Sequence, residues 1–414
     1  MKAFLYKAKG TLALAPAMSM FGTQAFAAEA LSAEAQGVQA PPVVELTEEE
    51  IAAQTIPALT YEEALSKAKK NSATLRDLED LTDVLREERN DQIDDLGSLK
   101  TPTYEYKKWV NSDTWVKQAQ IFVTKMEQES TALQRELVNL TLEVGIKSSF
   151  VDILSQQDQI ELAKKNAEMQ QKLYEQAQVK HRLGMLSKYG TGGLDEMRIA
   201  AEQAKNNVAL AEASLTQTYT NFNRLLGEPE GTRYDLVYDV TYEPYEIGRP
   251  LDMYISDKMN NDDLSLKLME LSVEGAKFTN NYLPNYDLSS KEMKALGITD
   301  PADAEDRNEY SLDSAERSFK TAKQEKESLL QNAYLQIKQL ETMRDSAEAD
   351  LKKAETTYRM VEVNYQAGNV TKTAVEQAAM GVISAQNALK TNAYNHDMLV
   401  FTFENPSLLS SSAQ

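Results

Sequence analysis

YEQAQVKHRLGMLS, from Tyr174 to Ser187, and YRMVEVNYQAGNVT, from Tyr358 to Thr371, are the two stretches that decide the fold of this chain. Each closes a long run of helical apolar spacing, passes through a glycine, Gly184 or Gly368, and leads into a second helical run. Tyr174 and Tyr358 stand at the same offset as Gly184 and Gly368, so the two stretches are in register. Their surroundings match too, since Tyr61-Glu62-Glu63-Ala64 with Asn71-Ser72 reads like Leu251-Asp252-Met253-Tyr254 with Asn261-Asp262. A unit of nearly half the chain is therefore present twice, and a duplication of that size builds one pseudo-symmetric object.

The spacing inside the units says which object. Leu330, Ala333, Ile337, Leu340, Arg344, Ala347, Leu351, Ala354, Tyr358, Val361 and Tyr365 advance by alternating threes and fours, with Arg344 the one polar interruption. That is a coiled-coil seam. Leu194 to Leu225 and Val375 to Phe403 carry the same period, with alanine at many seam positions so that helices can approach closely. A helix from 115 to 182 would be roughly 100 Å long at about 1.5 Å per residue and cannot bury itself in one compact core. The expectation is an all-α chain of two long antiparallel hairpins, 115–183 with 194–226 and 312–367 with 372–403. They are flanked by leading helices 61–94 and 251–281.

Composition narrows the chemistry. The 414 residues include no cysteine, which excludes disulfides, a lipidated N-terminal cysteine, thiolate metal sites and cysteine nucleophiles. A net charge of −20 argues against a nucleic-acid partner, because phosphate binding needs a basic face. Lys2, Lys7 and Lys9, the apolar run from Thr11 to Gly22 and Ala25-Phe26-Ala27 read as a signal peptide over 1–27. Residues 28–58 read as a disordered spacer rich in Ala, Glu, Gln and Pro. The remaining divisions are a first repeat at 59–231, a linker at 232–250, a second repeat at 251–405 and a flexible tail at 406–414.

This order is a signal peptide, YEEALSKAKKNSATL (Tyr61 to Leu75), a long helix to a glycine turn, and a return helix ending LLGEPEG (Leu225 to Gly231), then the same again. It resembles the TolC-like outer membrane efflux protein family. The resemblance covers about Leu59 to Asn405. It implies a hollow helical tunnel made by a homo-oligomer, a trimer in that family. It also implies a membrane-fusion adaptor and an inner-membrane transporter as partners, efflux or secretion as the function, and a place in the cell envelope.

Where the family inserts membrane strands, this chain holds 95–114 and 282–310. A spanning strand takes about 9–11 residues of alternating hydrophobicity. The first insert carries Lys100, Lys107, Lys108 and Asp113, and the second Lys291, Glu292, Lys294, Asp300 and Asp303 without apolar alternation. The β-barrel is thus expected to be absent or minimal. Tyr104, Tyr106, Trp109 and Trp115 are expected to pack over the end of the bundle, or else to form an aromatic belt at a membrane interface.

In the family the helix-to-helix tips close the tunnel and dock the adaptor. By position, the resemblance assigns that role to Arg182, Gly184, Met185, Leu186 and Ser187 of the first tip and to Gly368, Asn369, Val370 and Thr371 of the second. Asp195 best matches a latch aspartate, after an insert Lys188-Tyr189-Gly190-Thr191-Gly192-Gly193, and Tyr365 matches an aromatic latch position. The same glycines also fit plain helix C-caps. His181 and His396 have no second His or Cys at ligand spacing, and no catalytic motif is present, so no metal, cofactor or enzyme activity is expected. A second reading is a secreted coiled-coil scaffold that has lost both barrel and transport.

Overall fold

The computed structural model describes residues 56–97, 103–105, 108–110, 112–190, 192–238, 240–282 and 301–409. The expected signal peptide, most of the expected spacer and much of both inserts lie outside the described residues. The elements run β1 (Ala58–Thr60), α1 (Tyr61–Asn71), α2 (Ala73–Gly97), β2 (Thr103–Glu105), β3 (Lys108–Val110), α3 (Ser112–Arg182) and α4 (Leu194–Leu226). After β4 (Asp235–Val237) the helical order repeats as α5 (Leu251–Asn261), α6 (Leu264–Tyr282), α7 (Pro301–Gln366) and α8 (Lys372–Glu404), with a 3-10 turn at Pro406–Leu408.

α3 and α7 are 71 and 66 residues long, and α4 and α8 are 33 each. Their seams are buried as the spacing requires: Ala201, Ala204 and Phe222 on α4, Leu330, Ala333 and Ile337 on α7, and Asn392, His396 and Phe403 on α8. Duplication holds in three dimensions. Ile146 and Ile153 of α3 and their counterparts Leu330 and Ile337 of α7, at the offset of the tip glycines, are all 0% exposed. Each anchors one of two apolar clusters, the first joining Phe150, Phe222, Ala64 and Tyr234, the second joining Ile255, Leu266 and Phe403.

Both leading helices are broken in two, which the sequence reading ran together. Ser72 leaves the helix with ψ 115°, and its hydroxyl accepts from the Leu75 amide. Asp263 caps α6 by accepting from the amides of Ser265 and Leu266. Short polar side chains that bond the following turn are what stop one helix and start another. A second difference lies in the second insert. α7 begins at Pro301, not near 312, because proline at a first helical position forfeits no hydrogen bond.

The helices form a wall one helix thick. At one end it reads α4, α3, α8, α7; at the other, α2, α3, α6, α7. Lys172 bonds Glu376 at 3.0 Å, Lys390 bonds Asp158 at 3.2 Å and Lys147 bonds Asp397 at 3.0 Å, so α3 and α8 run antiparallel. Among the described residues the strands have three residues each: β1 pairs in parallel with β4, and β2 with β3 antiparallel, Tyr104 opposite Trp109. Strands of that length fall short of the ~9–11 residues a bilayer requires, and the described residues build no barrel. What the side chains of Tyr104, Tyr106, Trp109 and Trp115 touch lies outside the described residues. No described helix is long and apolar enough to cross a membrane.

A strap of four tyrosines crosses the middle of the wall between the two clusters. Tyr234 meets Phe222 edge-on, and Tyr238 sits against Tyr61, Phe150 and Tyr394 while its hydroxyl donates to Asp397 at 2.7 Å. Tyr242 lies between His396 and Arg344, whose guanidinium carbon is 4.0 Å from the ring. The polar interruption of the α7 seam is therefore covered by the strap. Tyr245 packs on Phe403, its hydroxyl donates to Glu404 and its amide donates to Glu341 at 2.9 Å.

Candidate functional site

The antiparallel run of ion pairs between α3 and α8 brings both glycine turns to the same end of the wall. Lys172 is about three helical turns from Gly184, and Glu376 about two from Gly368. The two turns share one backbone solution. Gly184 has φ 73° and Gly368 φ 77°. In the first, the Gly184 amide donates to His181 at 2.9 Å and the Met185 amide to Lys180 at 2.8 Å; in the second, Gly368 donates to Tyr365 at 2.9 Å and Asn369 to Asn364 at 2.8 Å. This paired capping, with a left-handed residue just past the last turn, is the Schellman arrangement.

Beyond the glycine the tips diverge. The second tip restarts at once: Thr371 caps α8 by accepting from the Ala374 amide at 3.4 Å, with Asn369 exposed and Val370 half-buried. The first tip carries its insert as a knot of backbone bonds. Leu194 donates to Ser187 and Asp195 to Lys188, each at 3.1 Å, while Gly190 and Gly192 take φ 99° and 77°. His181 Nδ1 lies 2.8 Å from the Leu186 carbonyl, and the Gly192 amide donates to Glu196. Lys180, His181 and Arg182 end α3 and Asp195 and Glu196 begin α4, each charge matched to its helix end. The second tip has neither.

The first tip also presents the larger apolar surface: Leu183, Met185 and Tyr189 are 67%, 74% and 69% exposed. Lys188 lies over the Tyr189 ring, and the Tyr189 hydroxyl first, then the Asp195 carboxylate, hold its ammonium above the ordinary lysine pKa. The structure thus gathers Arg182, Gly184, Met185, Leu186, Ser187 and Asp195 in one loop and Tyr365, Gly368, Asn369, Val370 and Thr371 in the other. Among the described residues no hydrogen bond or ion pair joins Asp195 to Tyr365 within the chain.

No protein-family model matches the chain, and no curated protein matches it in sequence. Solved structures match its fold. The outer membrane protein VceC of Vibrio cholerae superposes with TM-score 0.60 at 10% identity, over 84% of this chain and 97% of that one. The MtrE outer membrane channel of Neisseria gonorrhoeae, in its open state, gives 0.56 at 11%, over 90% and 98%. The Campylobacter jejuni CmeC outer membrane channel gives 0.55 at 10%, over 91% and 95%. The chain has the fold of the TolC-like outer membrane channels. What it shares with them is the wall of paired hairpins. At 10–11% identity the side chains of its TolC-like tips are its own.

Several residues that set the tips in this TolC-like wall escape a reading of sequence. Lys172, Glu376, Asp158 and Lys390 lie on solvated faces and pair across the two repeats, where no local spacing signals a partner. Lys188 and Tyr189 belong to an insert with no counterpart in the second repeat.

Proposed function

We propose that the chain is one sector of an exported, TolC-like helical conduit, working with a membrane-fusion adaptor and an inner-membrane pump in efflux or secretion. The observation that carries this is the placement of both tips at one end of a wall one helix thick whose outer helices there, α4 and α7, pack on one side only among the described residues. A wall with two open edges suits a tube closed by further copies, three in this reading. The loops around Gly184 and Gly368 then form its mouth and the face that meets the adaptor. Repeats 59–231 and 251–405 are two equivalent staves.

A scaffold without transport is favoured by one observation, the three-residue strands of β2 and β3 where the solved relatives are outer membrane channels. Deleting the gene and following accumulation of fluorescent efflux substrates separates the two. Accumulation reversed by re-expression supports the conduit; unchanged accumulation across substrates, with adaptor and pump intact, supports the scaffold.

A further inference from the structure

The two tips share a backbone and differ in surface. Between Gln178 and Arg198 the first holds four cations and two carboxylates, whereas the counterpart stretch from Glu362 to Glu376 holds one cation and two carboxylates. In a chain of net charge −20 the first tip is thus a basic spot at the end of an acidic wall. Its carboxylates are engaged within the loop: Glu196 accepts from the Gly192 amide, and Asp195, half-buried, interacts with the Lys188 ammonium. Arg198 pairs with Glu202 at 2.8 Å. Lys180 and Arg182 are exposed, and among the described residues no ion pair engages either side chain.

Helix geometry accounts for part of this. Cations are favoured at a helix C-terminus, which explains Lys180 and Arg182 at the end of α3. It explains neither Lys188, beyond the helix, nor the large apolar side chains in the same loop. Leu183, Met185 and Tyr189 are 67%, 74% and 69% exposed, while Tyr365 of the second tip is 43% exposed and Val370 half-buried. Arg, Met and Tyr are the types enriched where proteins meet. The loop that carries them is already set, by the backbone bonds of Leu194 to Ser187 and Asp195 to Lys188 and by His181 against the Leu186 carbonyl. A partner that meets a preformed loop gives up less ordering entropy on binding.

We infer that the first tip is a recognition loop for an acidic protein segment: an apolar side chain of leucine or phenylalanine size seats against Leu183, Met185 and Tyr189, and flanking Asp or Glu side chains meet Lys180, Arg182 and Lys188. Opposite charge across such a contact selects the partner and speeds its approach more than it adds affinity. The second tip, with Asn369 and Val370, adds uncharged contact and no charge selection. This rests on the reading of the tips as the mouth that meets an adaptor. It deepens that reading by stating the chemistry of the adaptor's contacting end and which tip reads it. An anionic bilayer is the poorer match, because a body of net charge −20 is repelled from it.

The test pans the full-length protein against a displayed library of helical hairpins with randomised loops, with counter-selection on a Met185→Ser, Tyr189→Ser variant to remove binders of other surfaces. Enriched loops should carry Asp or Glu beside Leu or Phe, and their binding should weaken about tenfold or more as salt rises from about 0.05 to about 0.5 M. Arg182→Gln with Lys188→Gln should lower their affinity about tenfold, and Arg182→Glu with Lys188→Glu should turn the preference toward Lys and Arg. Helix content by circular dichroism should stay unchanged in both. Asn369→Ser should leave the preference for acid as it is. No enrichment, enrichment of basic or uncharged loops, or a preference that ignores the charge reversal would overturn the proposal. Binding of the wild type to anionic phospholipid vesicles, lost on charge reversal, would overturn it too by assigning the loop to a membrane surface. Acidic binders that need the first tip, together with unchanged substrate accumulation on deleting the gene, would leave the recognition loop standing and sink the conduit.

Discussion

Lys326 Nζ stands 3.4 Å from Asp263 Oδ2, and the two residues are 8% and 0% exposed. The pair sits where α6, α7 and the C-terminal turn converge. Lys326 also donates to the carbonyls of Pro406 at 3.0 Å and Leu409 at 2.6 Å, while Asp263 Oδ1 caps α6. Burial pushes the Lys326 pKa down, and Asp263 opposes that shift. Removing one member leaves the other charged and desolvated. Lys326→Met is therefore expected to cost about 3–5 kcal/mol in denaturant unfolding, and hydrogen exchange should rise through 405–409. A loss under about 1 kcal/mol would mean that the site is wetter than its burial implies.

The tyrosine strap makes the middle of the wall alkali-sensitive. Burial first, then Asp397 for Tyr238 and Glu404 with Tyr254 for Tyr245, pushes these hydroxyls far above the ordinary tyrosine pKa; burial, then Glu143, does the same for Tyr61. A raised folded pKa means that stability is fully present below the unfolded value near 10 and is lost as pH rises above it, because the unfolded chain releases protons that the fold retains. Lys326 and Arg233, whose pKa values burial lowers, work in the opposite sense and are outnumbered, because burial also raises Tyr219, Tyr234, Tyr242 and Tyr254. Thermal midpoints should fall above about pH 10, and ionisation followed at 295 nm should show these tyrosines titrating together with unfolding. Free titration of all the tyrosines in the folded state would contradict the strap geometry.

Glu404 contributes to the acid limb, as does Glu341, whose pKa its partners also hold down. Burial works to raise the Glu404 pKa, but hydrogen bonds from Lys258, Tyr245 and Tyr254 prevail and hold it below the usual carboxylate value. Its contribution is present above the unfolded glutamate value and is lost as pH falls through the lower folded one. Glu404→Gln should cost stability at pH 7 and flatten the decline below about pH 4.5. An acid limb identical to wild type would place the acid sensitivity elsewhere.

How far the chain could be read in advance follows from the range of each signal. The hairpins are legible because a 3.5-residue seam and a glycine C-cap are local, and the duplication states them twice. The breaks at Ser72 and Asp263 are local as well, yet apolar spacing continues across them and hides the stop. Tyr245 and Glu404 are 159 residues apart, and nothing near either residue announces the other. Polar contacts across repeats, and the strap they hold, needed the fold.

Three glycines with the same capping geometry predict three different outcomes. Gly184, Gly368 and Gly227 are all left-handed, and at Gly227 the amide pair again runs from Gly227 to Arg224 and from Glu228 to Asn223. An added Cβ meets nothing within 4 Å at Gly184 or Gly368, whereas at Gly227 it runs into the Asn71 side chain, whose amide donates to the Arg224 carbonyl at 3.1 Å. Gly368→Val should therefore cost only the backbone term, about 1–2 kcal/mol, and leave the leading helices in place. Gly184→Val should cost a similar amount but also loosen the insert knotted to His181 and Ser187. Gly227→Ala should cost more than either, because displacing Asn71 unties α1 from the end of α4. If the tips dock an adaptor, Gly184→Val and Gly368→Val should weaken its capture at unchanged ring assembly, while Gly227→Ala should lower stability without touching capture by the folded fraction. Equal losses at all three sites, by thermal unfolding and by adaptor pull-down, would show that the tips do no more than cap helices.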